Sequence, residues 1–230
     1  MDERPISDKI AHLLERVRLA AEKSQRTAGS VKVLAVSKTH PAQAIRAAHQ
    51  CGLQDFGESY LQEALTKMAE LGDLPLTWHF IGPIQSNKAR PIAEHFAWVH
   101  SVDRSKIARR LSDCRPPDLP PLQVCLQVNI SSEQSKSGVS LEELPQLARE
   151  VVGMPRLQLR GLMAIPAPTT DFAQQRAAFA SLRLALVRIQ ALAPGMDTLS
   201  MGMSDDLEAA IAEGSTMVRV GTDIFGSRER

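Results

Sequence analysis

Val31-Lys32-Val33-Leu34-Ala35-Val36-Ser37-Lys38 is an apolar run that stops on a lysine, and it is followed by Thr39-His40-Pro41 where a dinucleotide-binding sheet would place Gly-x-Gly-x-x-Gly. The missing glycines argue against an open, doubly wound sheet. Upstream, residues 7–24 carry an amphipathic helical pattern. Downstream, seven more apolar runs at 54–57, 78–82, 97–102, 122–130, 157–165, 198–203 and 217–221 alternate with helical patterns near 41–51, 59–71, 86–94, 104–113, 141–152, 171–193 and 205–213. Alternation with connections of this length implies parallel strands joined by right-handed crossovers. Eight such strands predict an α/β fold, a closed (β/α)8 TIM barrel, with the N-terminal helix in the place of the eighth outer helix. With no internal repeat, low-complexity tract or dividing linker, residues 1–230 are expected to form a single domain. The proline-rich segment 114–121 leads from a helix into a strand and so reads as a stiff connection on the barrel floor.

A chain of 230 residues can bury a large core, roughly 70% or more of its unfolded surface, without a metal or disulfide staple. Its formal net charge of +1 gives no electrostatic case for nucleic acid or membrane, so any basic site must be local. Cys51, Cys114 and Cys125 are odd in number and widely spaced, which suggests neither a disulfide framework nor a metal set and fits a reducing cytoplasm. The N-terminus is acidic before it becomes amphipathic, and no run approaches about 18 apolar residues, so neither a signal peptide nor a membrane span is expected.

In a barrel, functional groups gather at the C-terminal ends of the strands. Lys38 ends the first run. Desolvation there disfavours its ammonium form, and only the neutral amine attacks an aldehyde, which makes Lys38 a candidate Schiff-base former. Taken alone, the segment is explained better by a lysine flanking a strand and reaching into water, and it is the rest of the chain that reverses this. Gly57-Glu58-Ser59-Tyr60 follows the second run, and Ser200-Met201-Gly202-Met203-Ser204-Asp205-Asp206 the seventh. The eighth run ends in Arg219-Val220-Gly221-Thr222. Ser200, Ser204, Gly221 and Thr222 supply the hydroxyls and close backbone approach that a phosphate needs. Ser204 is equally well placed as a helix N-cap ahead of Asp205, Asp206 and Glu208. Arg219 alternates onto the face of Met217 and Gly221, where it needs an acceptor, either an internal carboxylate or a ligand's ring nitrogen or anionic group. His79, between Trp78 and Phe80, reads as a core or supporting histidine. The polar segment Ser131-Ser132-Glu133-Gln134-Ser135-Lys136-Ser137-Gly138 reads either as a lid whose Lys136 meets an anion or as a solvated loop.

The run Trp78-His79-Phe80-Ile81-Gly82-Pro83-Ile84-Gln85-Ser86-Asn87-Lys88 resembles the signature of the YggS/PROSC family of pyridoxal phosphate homeostasis proteins. Further motifs resemble that family's in order: Ala35-Val36-Ser37-Lys38-Thr39, Phe56-Gly57-Glu58, Ser135-Lys136-Ser137-Gly138, Arg160-Gly161-Leu162-Met163-Ala164, Ser200 to Asp206, and Arg219-Val220-Gly221-Thr222. The resemblance covers essentially the whole chain. It implies a barrel of fold type III, like the N-terminal domain of alanine racemase, carrying pyridoxal 5′-phosphate (PLP) as an aldimine on Lys38. It also implies that Ser200, Ser204, Gly221 and Thr222 hold the phosphate, that Arg219 faces the pyridine nitrogen, and that Met163, Ser59 and Lys136 belong to the cofactor-binding set. An arginine does not readily give up a proton, so it would leave that nitrogen unprotonated and make the cofactor a weaker electron sink. The chain departs from the family where it has Ser59 in place of a frequent asparagine and His40 in place of a frequent second lysine.

Two functions then compete. One is a non-catalytic protein that holds PLP and hands it on, taking part in intracellular vitamin B6 homeostasis with PLP-requiring apo-enzymes as partners. The other is a PLP-dependent amino-acid racemase or lyase, which needs an acid or base on each face of the substrate. Lys38 serves one face. In the barrel racemases the resemblance points to, the other is a tyrosine from a partner subunit's C-terminal domain, whereas this chain ends nine residues after Gly221 and its one tyrosine is Tyr60. The expectation is therefore a cytoplasmic, monomeric carrier with no turnover. A barrel aldolase would explain Lys38 and the phosphate loops but not Arg219.

Overall fold

Eight parallel strands close into a barrel in strict chain order in the computed structural model, which describes residues 4–131 and 137–226. The strands are β1 (Lys32–Val36), β2 (Asp55–Glu58), β3 (Thr77–Phe80), β4 (Trp98–Val102), β5 (Leu122–Gln127), β6 (Leu157–Met163), β7 (Thr198–Ser200) and β8 (Met217–Val220). The barrel closes where β8 pairs with β1, with Leu34 opposite Arg219 and Ala35 opposite Val220. Most of these strands are buried on both faces, which is why they read as continuous apolar runs instead of alternating ones.

The outer ring is α1 (Ile6–Lys23), α2 (Ala42–Gln50), α3 (Leu61–Glu70), α4 (Ala89–His95), α5 (Ser105–Cys114), α6 (Leu144–Val152), α7 (Phe172–Ile189), α8 (Leu207–Ala212) and the single turn α9 (Thr222–Phe225). In α1, Ile10, Leu13, Val17, Ala20 and Ala21 recur at helical spacing and bury one stripe. That stripe packs against α8, α9 and α2. Because α9 is one turn long, α1 fills the gap the eighth outer helix would occupy, as the sequence predicts. The proline-rich connection from α5 to β5 lies on the floor and is pinned by buried Arg115, which donates to the carbonyls of Ala93, Phe96 and Pro120.

Some strands end earlier than expected, for a local reason. The seventh run stops at Ser200 because Gly202, at φ 97°, turns the chain out of the sheet. The helix expected from residue 86 begins as a 3-10 turn at Ser86–Lys88, and the one expected from 141 begins at Leu144, with a proline in its first turn. Gly161 in β6 meets β7 so closely that a Cβ there would lie 1.7 Å from the Thr198 carbonyl oxygen. Gly161→Ala is therefore expected to destabilise the barrel by about 1–3 kcal/mol through overpacking, read as a lower urea midpoint. An unchanged midpoint would show that the β6–β7 seam has more room than the backbone indicates.

Candidate functional site

A cavity of about 240 Å³ opens at the C-terminal ends of β1, β7 and β8. Lys38, Ser59, Ser204, Arg219, Gly221 and Thr222, six of the positions singled out from the sequence, line it together. Ile81, Ile165 and Met203 add apolar wall, and His40 and Asp205 complete part of the rim. Lys38 and Ser204 are half-buried, and Thr222 is exposed at the mouth. At Gly221 a Cβ would stand 3.1 Å from the Val36 carbonyl oxygen, so any larger residue would press on β1 where that strand borders the cavity. Across the described residues, a larger groove of about 710 Å³ lies on the outer wall between α1, α7 and α8, away from these strand ends.

Two expected positions stand elsewhere. Ser200 is fully buried and does not line the cavity: its Oγ is 2.8 Å from His100 Nδ1 and accepts from Arg219 at 2.9 Å. Its hydroxyl supports the guanidinium from behind. Met163, at the end of β6, is 1% exposed and packs in the interior beside Ser200. Residues 132–136 of the expected lid, Lys136 among them, lie outside the described residues. Ser204 is not the N-cap of α8; Asp206 holds that position, and its carboxylate accepts from the Met203 N–H at 2.6 Å. Ser204 thus sits in a loop facing the cavity.

Arg219 finds carbonyl and hydroxyl acceptors instead of a carboxylate. Nη1 donates to the Ser200 carbonyl at 2.5 Å and to its Oγ, and Nη2 donates to the Ala164 carbonyl at 2.9 Å. Burial pushes its pKa down to about 10, with Asp206 and Cys125 pulling the other way, so it stays a cation at neutral pH. The loops beside it are tied from the outer wall. Arg16 on α1 donates to the Ser204 carbonyl at 3.1 Å, to Glu208 at 3.0 Å and to Asp223 at 2.6 Å. A single side chain thereby links the loop after β7 to the turn after β8.

Beneath Lys38 lies a charge cluster whose geometry sequence reading did not find. Lys67 of α3 is 5% exposed and donates to Glu58 at 2.8 Å, to Glu63 at 2.5 Å and to the Ser37 carbonyl at 2.8 Å. Ser37 Oγ donates to Glu58 at 2.6 Å. Among the described residues the other Glu58 oxygen, Oε2, is buried without a hydrogen-bond partner. Burial pushes the Glu58 carboxyl above its ordinary pKa, although Lys67 and Ser37 oppose this. Glu63 also accepts from the Thr39 N–H at 2.6 Å, and Thr39 is held at φ 68°, a left-handed conformation that costs a β-branched residue about 1–3 kcal/mol. The residues on both sides of Lys38 are therefore fixed by the same cluster. Its only sequence signal was Lys67 four residues after Glu63 on α3.

The closed parallel barrel, with an amine at the end of β1 and a guanidinium near the end of β8, is similar to barrels of the alanine racemase N-terminal type. The chain belongs to that family, whose model "Alanine racemase, N-terminal domain" matches residues 8–229, and within it to the YggS/PROSC pyridoxal phosphate homeostasis group. It is 64% identical over 224 residues to a pyridoxal phosphate homeostasis protein of Pseudomonas aeruginosa, covering 97% of this chain and 96% of that one. Among solved structures it is similar to PipY of Synechococcus elongatus with PLP bound, at 42% identity and TM-score 0.80, covering 96% of this chain and 100% of that one. Alanine racemase of Corynebacterium glutamicum shares the fold at 17% identity and TM-score 0.74, over 96% of this chain and 62% of that one.

Proposed function

We propose that this chain binds PLP at the cavity between β1 and β8 and takes part in PLP homeostasis as a non-catalytic carrier. The observation that carries the reading is the convergence of Lys38, Ser204, Arg219, Gly221 and Thr222 on one cavity. These groups suit the molecule. Lys38 offers the amine for attachment to the aldehyde carbon, Ser204 and Thr222 offer hydroxyl donors to the phosphate, Gly221 lets the backbone approach, and Arg219 faces the ring. When bound, PLP supplies an electrophilic carbonyl and an electron-withdrawing ring.

The chain's own residues favour holding over turnover. Arg219 donates only, so it presents no acid or base that cycles at neutral pH. Tyr60, the one tyrosine, is 55% exposed and does not line the cavity. Residues 1–230 act as one PLP-binding domain, working as a cytoplasmic monomer that supplies PLP-requiring apo-enzymes, without nucleic acid or membrane.

The test is to incubate the purified protein with PLP, reduce with borohydride and map the modified peptide. An adduct concentrated on Lys38, with no racemisation of amino acids, is the expected result; adducts scattered over surface lysines would overturn the binding reading, and measurable racemisation the carrier reading. Ser204→Ala is expected to weaken PLP retention by about 1 kcal/mol, or somewhat more if the hydroxyl meets a charged phosphate. Equal dissociation constants for the two proteins would remove Ser204 from the phosphate site.

A further inference from the structure

Five side chains form an unbroken hydrogen-bonded chain through the barrel interior. Asp55, the first residue of β2, stands at the floor, paired with Lys32 at 3.1 Å. Its Oδ1 lies 3.0 Å from His79 Nε2, and His79 Nδ1 lies 2.9 Å from His100 Nε2. His100 Nδ1 lies 2.8 Å from Ser200 Oγ, which in turn accepts from Arg219. β4 and β7 are not neighbours in the barrel, so the His100–Ser200 link crosses the lumen. The path joins the floor to the cavity.

The two ends fix its direction. A carboxylate only accepts and a guanidinium only donates. Burial pushes the Asp55 carboxyl up, but the bond from His79 and the charge of Lys32 outweigh it, so its pKa falls below the ordinary value and it is ionised at neutral pH. His79 must then carry its proton on Nε2 and accept at Nδ1. His100 must therefore carry its proton on Nε2 and also accept at Nδ1. Ser200 must donate to His100, leaving its lone pairs for Arg219. No link sets two donors or two acceptors against each other. Burial also lowers the pKa of both rings, that of His100 well below its ordinary value, which keeps them neutral as this arrangement requires.

We propose that Asp55, His79, His100 and Ser200 are positioning residues for Arg219, through which the floor carboxylate orients the guanidinium toward the cofactor ring. The proposal rests on the reading above that Arg219 faces that ring. Barrel interiors are ordinarily filled by branched apolar side chains, which would occupy this volume without the cost of desolvating polar groups. Here the polar path ends on the guanidinium that lines the cavity. Among the described residues three of the five Arg219 N–H groups are committed to Ser200 and Ala164, which fixes the plane of the fork and turns the remainder away from them.

The test begins on ligand-free protein, where nitrogen-15 NMR reads the tautomers of His79 and His100. Both should be neutral with the proton on Nε2; a proton on Nδ1 of either ring, or a charged ring at neutral pH, would overturn the relay whether or not PLP binds. Asp55→Asn keeps an accepting oxygen but removes the charge. Its expected effect is a change in the resonances of both rings and of the Arg219 side chain, and a change confined to His79 would show that the links do not act together. With PLP, His100→Phe should shift the absorption band of the bound cofactor and weaken binding by about tenfold. A merely structural network would lower thermal stability and leave band and affinity unchanged, which would refute the positioning role. If the phenylalanine variant does not fold, Asp55→Asn with PLP decides by the same band. Failure of wild-type protein to bind PLP would instead refute the cofactor reading and leave the tautomer result standing.

Discussion

Lys38→Ala is expected to abolish borohydride-stable labelling of the protein by PLP while leaving a reversible complex. Lys38 lines the cavity at the end of β1, whereas Ser204 comes from the loop after β7, Arg219 from β8 and Thr222 from the turn after β8; if these three hold the phosphate and face the ring as proposed, removing the amine leaves them in place. Attachment and retention thus depend on different strands. Labelling should fall to background at Lys38, and equilibrium dialysis should still detect binding, weakened by at least tenfold through loss of the covalent contribution. Unchanged labelling would place the attachment elsewhere. Loss of all binding would show that the phosphate donors hold nothing on their own.

Lys67→Met should produce the largest loss of stability. It removes the cation that faces Glu58 inside the barrel wall, leaving a buried carboxylate paired only with Ser37, and breaking such a pair from one side costs about 3–5 kcal/mol at neutral pH. The loss has a sign with pH. The Glu58 pKa is already raised in the folded protein by burial, and without Lys67 it rises further. A group whose folded pKa lies above its unfolded value contributes stability below the unfolded pKa and loses it as pH rises through the folded pKa. The deficit of the variant should therefore be small in acid and grow toward neutral pH, as measured by urea unfolding at several pH values. A deficit that does not change with pH would mean that lost packing, not the stranded carboxylate, accounts for it. Adding Glu58→Gln to Lys67→Met should restore part of the stability, since these residues are in contact and their effects do not add. Because Lys67 and Glu63 also hold the backbone on both sides of Lys38, the single variant should load PLP more slowly as well.

The barrel was legible because most strands bury both faces and so write apolar runs, and because α1 carries a clean stripe from Ile10 to Ala21. The one-turn α9 left no periodicity to read. In the site, Lys38, Ser204, Arg219, Gly221 and Thr222 announced themselves by sitting at strand ends, where a barrel places its chemistry. Ser200 carried the same signal, but its orientation depends on strand register: its hydroxyl points toward His100 across the lumen, a relation between residues 100 positions apart. The Ser37 and Glu58 partners of Lys67 and the apolar walls from Ile81, Ile165 and Met203 were hidden for the same reason, since contacts between different elements leave no local pattern.

The seam between β1 and β8 also sets an order of events in the life of the chain. Lys38 is synthesised long before Arg219 to Thr222, so the cavity cannot exist until β8 has been released to pair with β1. If PLP binds at this cavity as proposed, loading must follow pairing of β8 with β1, and a chain broken between the two strands would offer Lys38 without Ser204, Gly221 and Thr222 opposite it. A ligand seated across that seam would strengthen a contact of very long sequence separation, of the kind that folding secures slowly. At a concentration 100 times its dissociation constant it would add about 2.7 kcal/mol to the closed barrel. If the chain is the carrier proposed above, the vitamin supply would then govern how long each copy of the protein resists unfolding and proteolysis, and its abundance would follow that of PLP.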